Sequence, residues 1–317
     1  MSELIPVLET LVADVTAGRP AAFCAVVKTQ GSAPQTPGAA MLVRADFRTL
    51  GTLGGGCVEA EVQRRAFQLL QQGQSGLLDF ALDHDYGWDD GLLCGGQMSV
   101  AVTPVAAEAG LGPFRQALEL ARQRRPASIP LVVEHEGRRL EFRLHLEVPP
   151  TLLIAGAGHV GQAVAELALR LDYHVVVIDD RADCASRERF PGDVELIVDD
   201  IAEALRKYRV DAGCYVVIVT RGHRHDHQAL DAVVRRPAGY IGMIGSKRKS
   251  RLILEDLAAA GVTSEQLSRV HTPIGLSIHA VTVAEIAVSI VAELVQVRRQ
   301  NTPVLVEGPF EVADAGG

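Results

Sequence analysis

The sequence predicts an α/β chain in two parts, an α+β first half followed by a doubly wound, mostly parallel sheet. Three observations predict it. From Thr151 onward, short apolar runs without polar alternation take turns with amphipathic stretches, the pattern of parallel strands covered on both faces. Before that point strands and helices do not alternate simply, as in α+β folds. Between the two, LEVPPT at residues 146 to 151 puts a pair of prolines where a boundary belongs, giving domains over 1–148 and 149–300 and a tail over 301–317 that frays after Pro309.

In the first half, Ser2 can cap a helix whose Leu4, Leu8, Leu11, Val12 and Val15 share one face and which stops at Gly18. AAFCAVVKT is a strand, and Pro34 and Pro37 deny QGSAPQTPG any regular element. AAMLVRAD and TLGTLG pair as strands, and VEAEVQRRAFQLLQQG is a helix ending at Gly73. GLLDFALD and QMSVAVTPV are strands, GPFRQALELARQRR a helix, and LVVEHEGRRLEFRL a hairpin turning near Gly137. In the second half the strands are TLLIAGAG, HVVVIDD, VELIV, CYVVIVT and YIGMIGS. The helices are HVGQAVAELALRL, AEALRKY, a stretch around ALDAVVRR, KRKSRLILEDLAAAG and VTVAEIAVSIVAELVQVRR.

The 317 residues, 48% hydrophobic and 22% charged, are enough for two buried cores. A formal net charge of −8 argues against a nucleic-acid partner, which calls for a basic surface. Cys24, Cys57, Cys94, Cys184 and Cys214 are far apart, without a C-x-x-C pair, as suits free thiols in a reducing compartment. The opening MSELIPVLETLV has no basic segment of the signal-peptide kind, and no apolar run is long enough to cross a bilayer, so a cytoplasmic protein is expected.

GAGHVG, Gly156 to Gly161 with His159 inside it, matches G-x-G-x-x-G between an apolar strand and a helix. Gly156 suits a tight turn, Gly158 a close approach of pyrophosphate, and Gly161 close packing of helix on strand. Asp179 ends the next strand, about 20 residues on, where an acidic side chain accepts from ribose hydroxyls. The reading is a nucleotide or pterin-phosphate ligand in a Rossmann-like domain, set against glycines that serve packing alone.

TRGHRHDHQAL should emerge at the carboxyl edge of the sheet, with His223 or Asp226 towards a ligand. His223, His225 and His227 also raise a metal-site reading, one residue short of H-x-H-x-D-H. In IGSKRKSR, Ser246 can cap a helix and, with Lys247, Arg248 and Lys249, form a local anion site. Gly54, Gly55 and Gly56 lead into Cys57 at a helix N-terminus, where the dipole favours a thiolate suited to a soft metal or a sulfur donor. Cys94 with Gly95 and Gly96 repeats that combination, so the two form a candidate shared site, the alternative being small buried hydrophobes.

These stretches, GSAPQTPGAAMLV, GTLGGGCVEAEV, LCGG, LLIAGAGHVGQAVA, VVVIDDR with RFP, TRGHRHD, YIGMIGSKRK and PIGL with AEIAVSIVAEL, closely resemble the XdhC/CoxI family, the xanthine dehydrogenase accessory factors. The resemblance runs in order from about Ala21 to Val297. It implies an XdhC/CoxI domain followed by a Rossmann domain. Such proteins bind molybdenum cofactor (molybdopterin), promote its sulfuration with a cysteine desulfurase, and insert it into a molybdenum hydroxylase client. They are viewed as chaperones rather than enzymes turning over a free substrate.

The residues and the resemblance together point to Gly156, Gly158, Gly161 and Asp179 for the phosphate or pterin. Ser246 and Lys247 would help, Cys57 would contact molybdenum or sulfur, and Cys94 is the second choice. An NAD(P)-dependent oxidoreductase is the alternative, and the long apolar last helix leaves a homodimer open. The family's usual PIGLDIGAETPEEIA reads PIGLSIHAVTVAEIA here, with Ser277, His279, Val281 and Val283 as departures that bear on partner choice.

Overall fold

A computed structural model describes residues 4–82, 95–301 and 305–312. The chain divides into two units, Met1–Val148 together with Pro303–Gly317, and Pro149–Thr302.

The first unit contains α1 (Leu4–Thr16), β1 (Ala21–Gln30), β2 (Ala40–Arg44), β3 (Thr49–Gly51), α2 (Gly56–Gln72), β4 (Gly76–Ala81), β5 (Gln97–Val105), α3 (Gly112–Arg122), β6 (Ala127–His135) and β7 (Arg138–Leu146). Five strands form an antiparallel sheet in the order β3-β2-β1-β5-β4. Because side chains alternate along a strand, Ala22, Cys24 and Val26 of β1 pack under α2 while Phe23, Ala25 and Val27 face α1 and α3. A buried carboxylate ties this unit together: Asp14 of α1 accepts from Arg19 and from Arg44 of β2. The predicted hairpin is present, β6 pairing β7 around Glu136 and Gly137, both at positive φ.

Residues 306–311, read in the sequence as tail and as frayed beyond Pro309, instead form a strand, β14 (Val306–Glu311), antiparallel to β7. Only Val306 of VEGPFE is buried. Backbone pairing to a remote strand, not a hydrophobic pattern, holds this segment.

The second unit contains β8 (Thr151–Ala155), α4 (His159–Leu169), β9 (His174–Asp179), β10 (Val194–Val198), α5 (Ile201–Lys207), β11 (Cys214–Ile218), α6 (His223–Val233), β12 (Tyr240–Met243), α7 (Lys247–Ala259), α8 (Ser264–Ser268), β13 (Val270–His271) and α9 (Val283–Asn301). The six strands are parallel and run in the order β10-β9-β8-β11-β12-β13, the doubly wound 3-2-1-4-5-6 arrangement. Leu152, Ile154, Val175 and Val177 pack under α4 and α9, while Leu153, Ala155, Val176 and Ile178 pack under α5, α6 and α7. Both faces are covered, which is why the strands read as unbroken apolar runs. The short α8 and β13 were not foreseen; a two-residue strand leaves no periodicity to detect. Among the described residues no helix is long and apolar enough to cross a membrane.

Candidate functional site

In the second unit, strand order reverses between β8 and β11, and the loops leaving those strands meet at the carboxyl edge of the sheet, where open α/β sheets bind ligands. The three glycines there do three different things. Gly156 has φ +118°, and a Cβ on it would lie 2.5 Å from the Val219 carbonyl oxygen, so the turn after β8 is pressed against the end of β11. A Cβ on Gly161 would lie 2.0 Å from the Gly156 carbonyl oxygen, which fixes α4 against the turn. Gly158 caps α4 in an extended conformation any residue could adopt, and a Cβ there would meet nothing within 4 Å. Its bareness serves no packing, and it leaves open backbone at a helix N-terminus, where a phosphate fits. His159 follows it, exposed.

Asp179 lies at the end of β9 and is 1% exposed. Its Oδ2 accepts from the Ala157 amide at 2.7 Å and from Arg181 Nη2 at 2.9 Å; its Oδ1 accepts from the Arg181 amide at 3.0 Å and from Arg181 Nε at 2.9 Å. Burial pushes this carboxyl up, but the Arg181 guanidinium and the two amides outweigh it and hold it at about 2. The side chain therefore anchors the glycine turn and Arg181 at once. A second ion pair joins the loops that flank the turn: Arg221, after β11, donates to Asp180, after β9, at 2.7 Å.

After β11, the two residues expected towards a ligand, His223 and Asp226, part company: Asp226 of α6 turns into the protein. It is fully buried, accepting from Thr220 Oγ1 at 2.6 Å and from Lys249 Nζ on α7. His223 is exposed at the first position of α6, and Arg221 Nε donates to His225 Nε2 at 3.4 Å. Among the described residues no three His, Cys, Asp or Glu side chains gather as a metal site. Ser246 caps α7 as expected, accepting from the Lys249 amide, with Lys247 exposed beside it.

The loop carrying PIGL is bound to α9 by Glu293, which accepts from Tyr240 Oη at 2.5 Å and from the Gly275 amide at 2.8 Å and lies 3.1 Å from His271 Nδ1. Burial raises the Glu293 carboxyl, and the bonds from His271, Tyr240 and Gly275 more than reverse that. Ile278 and Val281, beyond that anchor, are exposed.

In the first unit the glycine-rich loop before α2 is folded around a carboxylate of the chain itself. Glu59 Oε2 accepts from Thr52 Oγ1 at 2.9 Å and from the Leu53 and Gly55 amides at 3.0 Å each. Gly54, Gly55 and Gly56 all have positive φ. A Cβ on Gly54 would lie 2.6 Å from Pro34 Cβ, whereas one on Gly55 would meet nothing within 4 Å. The loop with Gly31 and Pro34 also reaches the second glycine pair, since a Cβ on Gly96 would lie 2.2 Å from the Ser32 carbonyl oxygen and one on Gly31 would lie 3.3 Å from the Gly95 carbonyl oxygen. One loop thus touches both Cys-Gly stretches. Cys57 is half-buried in the first turn of α2; Cys94 lies outside the described residues. Cys24, by contrast, is wholly buried and its thiol pKa is raised by desolvation, as befits a core residue.

Sequence reasoning passed over Glu59, Arg181 and the Asp226–Lys249 pair. Two of these had a signal. Glu59 is an acidic residue in the first turn after a glycine run, the place of a capping carboxylate. Asp226 shares the apolar face of α6 with Ala229, Leu230 and Val233, which marks a carboxylate that must find a partner inside.

The family model of the XdhC Rossmann domain matches residues 152–294, and that of the XdhC and CoxI family matches residues 15–81. The chain is 30% identical over 285 residues to "Uncharacterized protein YqeB" of Escherichia coli (strain K12), covering 90% of this chain; it spans only 44% of that relative's length. It is 26% identical over 317 residues to a probable xanthine dehydrogenase subunit of Bacillus subtilis (strain 168), covering 88% of this chain and 94% of that one. It is 23% identical over 304 residues to "Molybdenum cofactor insertion chaperone PaoD" of Escherichia coli (strain K12), covering 92% and 88%. A crystal structure described as a xanthine dehydrogenase from Bacillus halodurans shares the fold, with a TM-score of 0.78 and 24% identity over 94% of this chain and 96% of that one.

Proposed function

This chain belongs to the XdhC and CoxI family, and from that premise we propose that it binds molybdenum cofactor in the cytoplasm, supports its sulfuration with a cysteine desulfurase, and inserts it into a molybdenum hydroxylase of the xanthine dehydrogenase kind. The observation that carries the reading is the bare Gly158 at the N-terminus of α4, in open space between Gly156 and Gly161, the two positions where a side chain would clash. The cofactor's phosphate has the chemistry such a site takes. The full-length similarity to a relative named for molybdenum cofactor insertion supports the same reading.

The chain's own part is to hold and orient. Gly156 and Gly161 keep the turn closed, Gly158 offers its backbone, and Ser246 and Lys247 sit at the start of α7 on the same edge of the sheet. Cys57, in the first turn of α2, is assigned the sulfur or molybdenum contact, with Cys94 and Gly95 as the second thiol stretch. When bound, the cofactor would supply the soft metal centre and the terminal sulfur that the client needs.

The test is purification from a molybdenum-competent host with bound molybdenum and pterin measured. Both should co-purify in equal amounts; a preparation with neither, from a host whose molybdenum hydroxylases are active, refutes the reading. Cys57→Ala should keep the fold and lower retention of sulfurated cofactor severalfold. Unchanged retention would remove Cys57 from the site.

A further inference from the structure

A dinucleotide in a doubly wound sheet is held by two features, the glycine turn on its pyrophosphate and the acidic end of the second strand on its ribose hydroxyls. The first is present here. The second is present in sequence only. An ionised carboxylate has about four acceptor positions, and those of Asp179 are taken by the Ala157 amide, the Arg181 amide, and the Nε and Nη2 of Arg181. With the side chain 2% exposed, no lone pair is left facing solvent for a vicinal diol. A dinucleotide must also extend to both sides of the glycine turn, and there the Arg221–Asp180 pair joins the flanking loops. A ligand that ends in a phosphate monoester needs neither the diol contact nor the passage.

We infer that Arg181 is the specificity-determining residue of this crevice: by filling the acceptor positions of Asp179 it refuses the ribose of a nicotinamide dinucleotide and leaves a phosphate monoester as the ligand class. The inference rests on the reading of the glycine turn as a phosphate site and narrows what that site takes. Arg181 acts here through Asp179. The guanidinium, being planar and forked, matches the carboxylate with two parallel bonds, which a lysine cannot do.

The experiment is calorimetric titration of the full chain with two probes. One is NAD+; the other is the oxidised, fluorescent pterin monophosphate derived from molybdopterin, with its dephosphorylated form as control. The native chain should bind the phosphorylated pterin, ignore its dephosphorylated form, and give no saturable heat with NAD+. Arg181→Ala should gain NAD+ affinity on the order of tenfold or more, because the freed carboxylate can accept from the diol. Arg181→Lys, which keeps the charge but not the fork, should gain less. A native chain that binds NAD+ as tightly as Arg181→Ala overturns the inference, as does a folded Arg181→Ala without gain. Should Arg181→Ala not fold, Arg181→Lys decides alone, and undiminished refusal of NAD+ overturns it. Failure of the pterin arm with the NAD+ results as expected would count against the cofactor reading and leave the selectivity standing.

Discussion

Asp179→Asn tests whether the glycine turn is held by charge. The substitution keeps the shape of the side chain and places an amide NH2 where one oxygen accepts, so in either orientation a donor faces the Arg181 guanidinium together with the Ala157 amide or the Arg181 amide. The native carboxyl lies at about 2 against an ordinary 3.8, and with each pKa unit worth about 1.4 kcal/mol its charged contacts contribute roughly 2–3 kcal/mol at neutral pH. Removing one member of a buried pair costs about 3–5 kcal/mol, but Arg181 is 36% exposed and regains water, which puts the expected loss near the lower bound, about 3 kcal/mol. For a unit of this size each kcal/mol moves Tm by about 2–4 °C, so the transition of the second unit should fall by roughly 6–12 °C.

Scanning calorimetry on the full chain at several pH values is the assay. A depressed carboxylate stabilises above its unfolded pKa and loses that contribution as pH falls through its folded one. The gap between native chain and variant should therefore be constant from neutral pH to about 4 and shrink between 3.8 and about 2. A gap below about 1 kcal/mol at pH 7, or one still at full size at pH 2, would show that the turn is not held by this charge.

Gly161→Ala, whose Cβ would lie 2.0 Å from the Gly156 carbonyl oxygen, should cost about 1–3 kcal/mol by forcing the turn outward. Gly158→Ala, in open space, should cost under about 1 kcal/mol yet weaken retention of the phosphorylated pterin; denaturant titration and pterin fluorescence separate the two effects. Glu59→Ala, which strips three donors of one acceptor, should cost about 1–3 kcal/mol. It should also speed amide exchange at Leu53 and Gly55, and unchanged exchange there would show that the loop holds its own shape.

What the sequence made legible follows from what is local. The βα alternation after Thr151, the turn at Gly137 and the fingerprint at Gly156 each lie within a few residues of one another, and each appears in the structure where expected. What depends on side-chain direction or on remote pairing was not legible. The spacing of Asp179 after the glycines signals a ribose acceptor, but spacing does not say that Arg181, two residues on, folds back to occupy it. Asp226 stood in a motif rich in histidines and read as a ligand contact; its partner Lys249 comes from the next helix. VEGPFE carries a proline and almost no alternation, and only the exposed edge of β7 makes it a strand.

That last strand has a consequence for how the chain comes into being. Since residues 306–311 belong to the first unit, the Rossmann unit is carried as an insert, leaving at residue 149 and returning at 302. On the ribosome the first unit must wait, its β7 bare, while the whole insert is synthesised and free to fold. A message cut short after the insert would yield an intact second unit on a first unit with an open sheet edge, a ready template for aggregation rather than a smaller working protein.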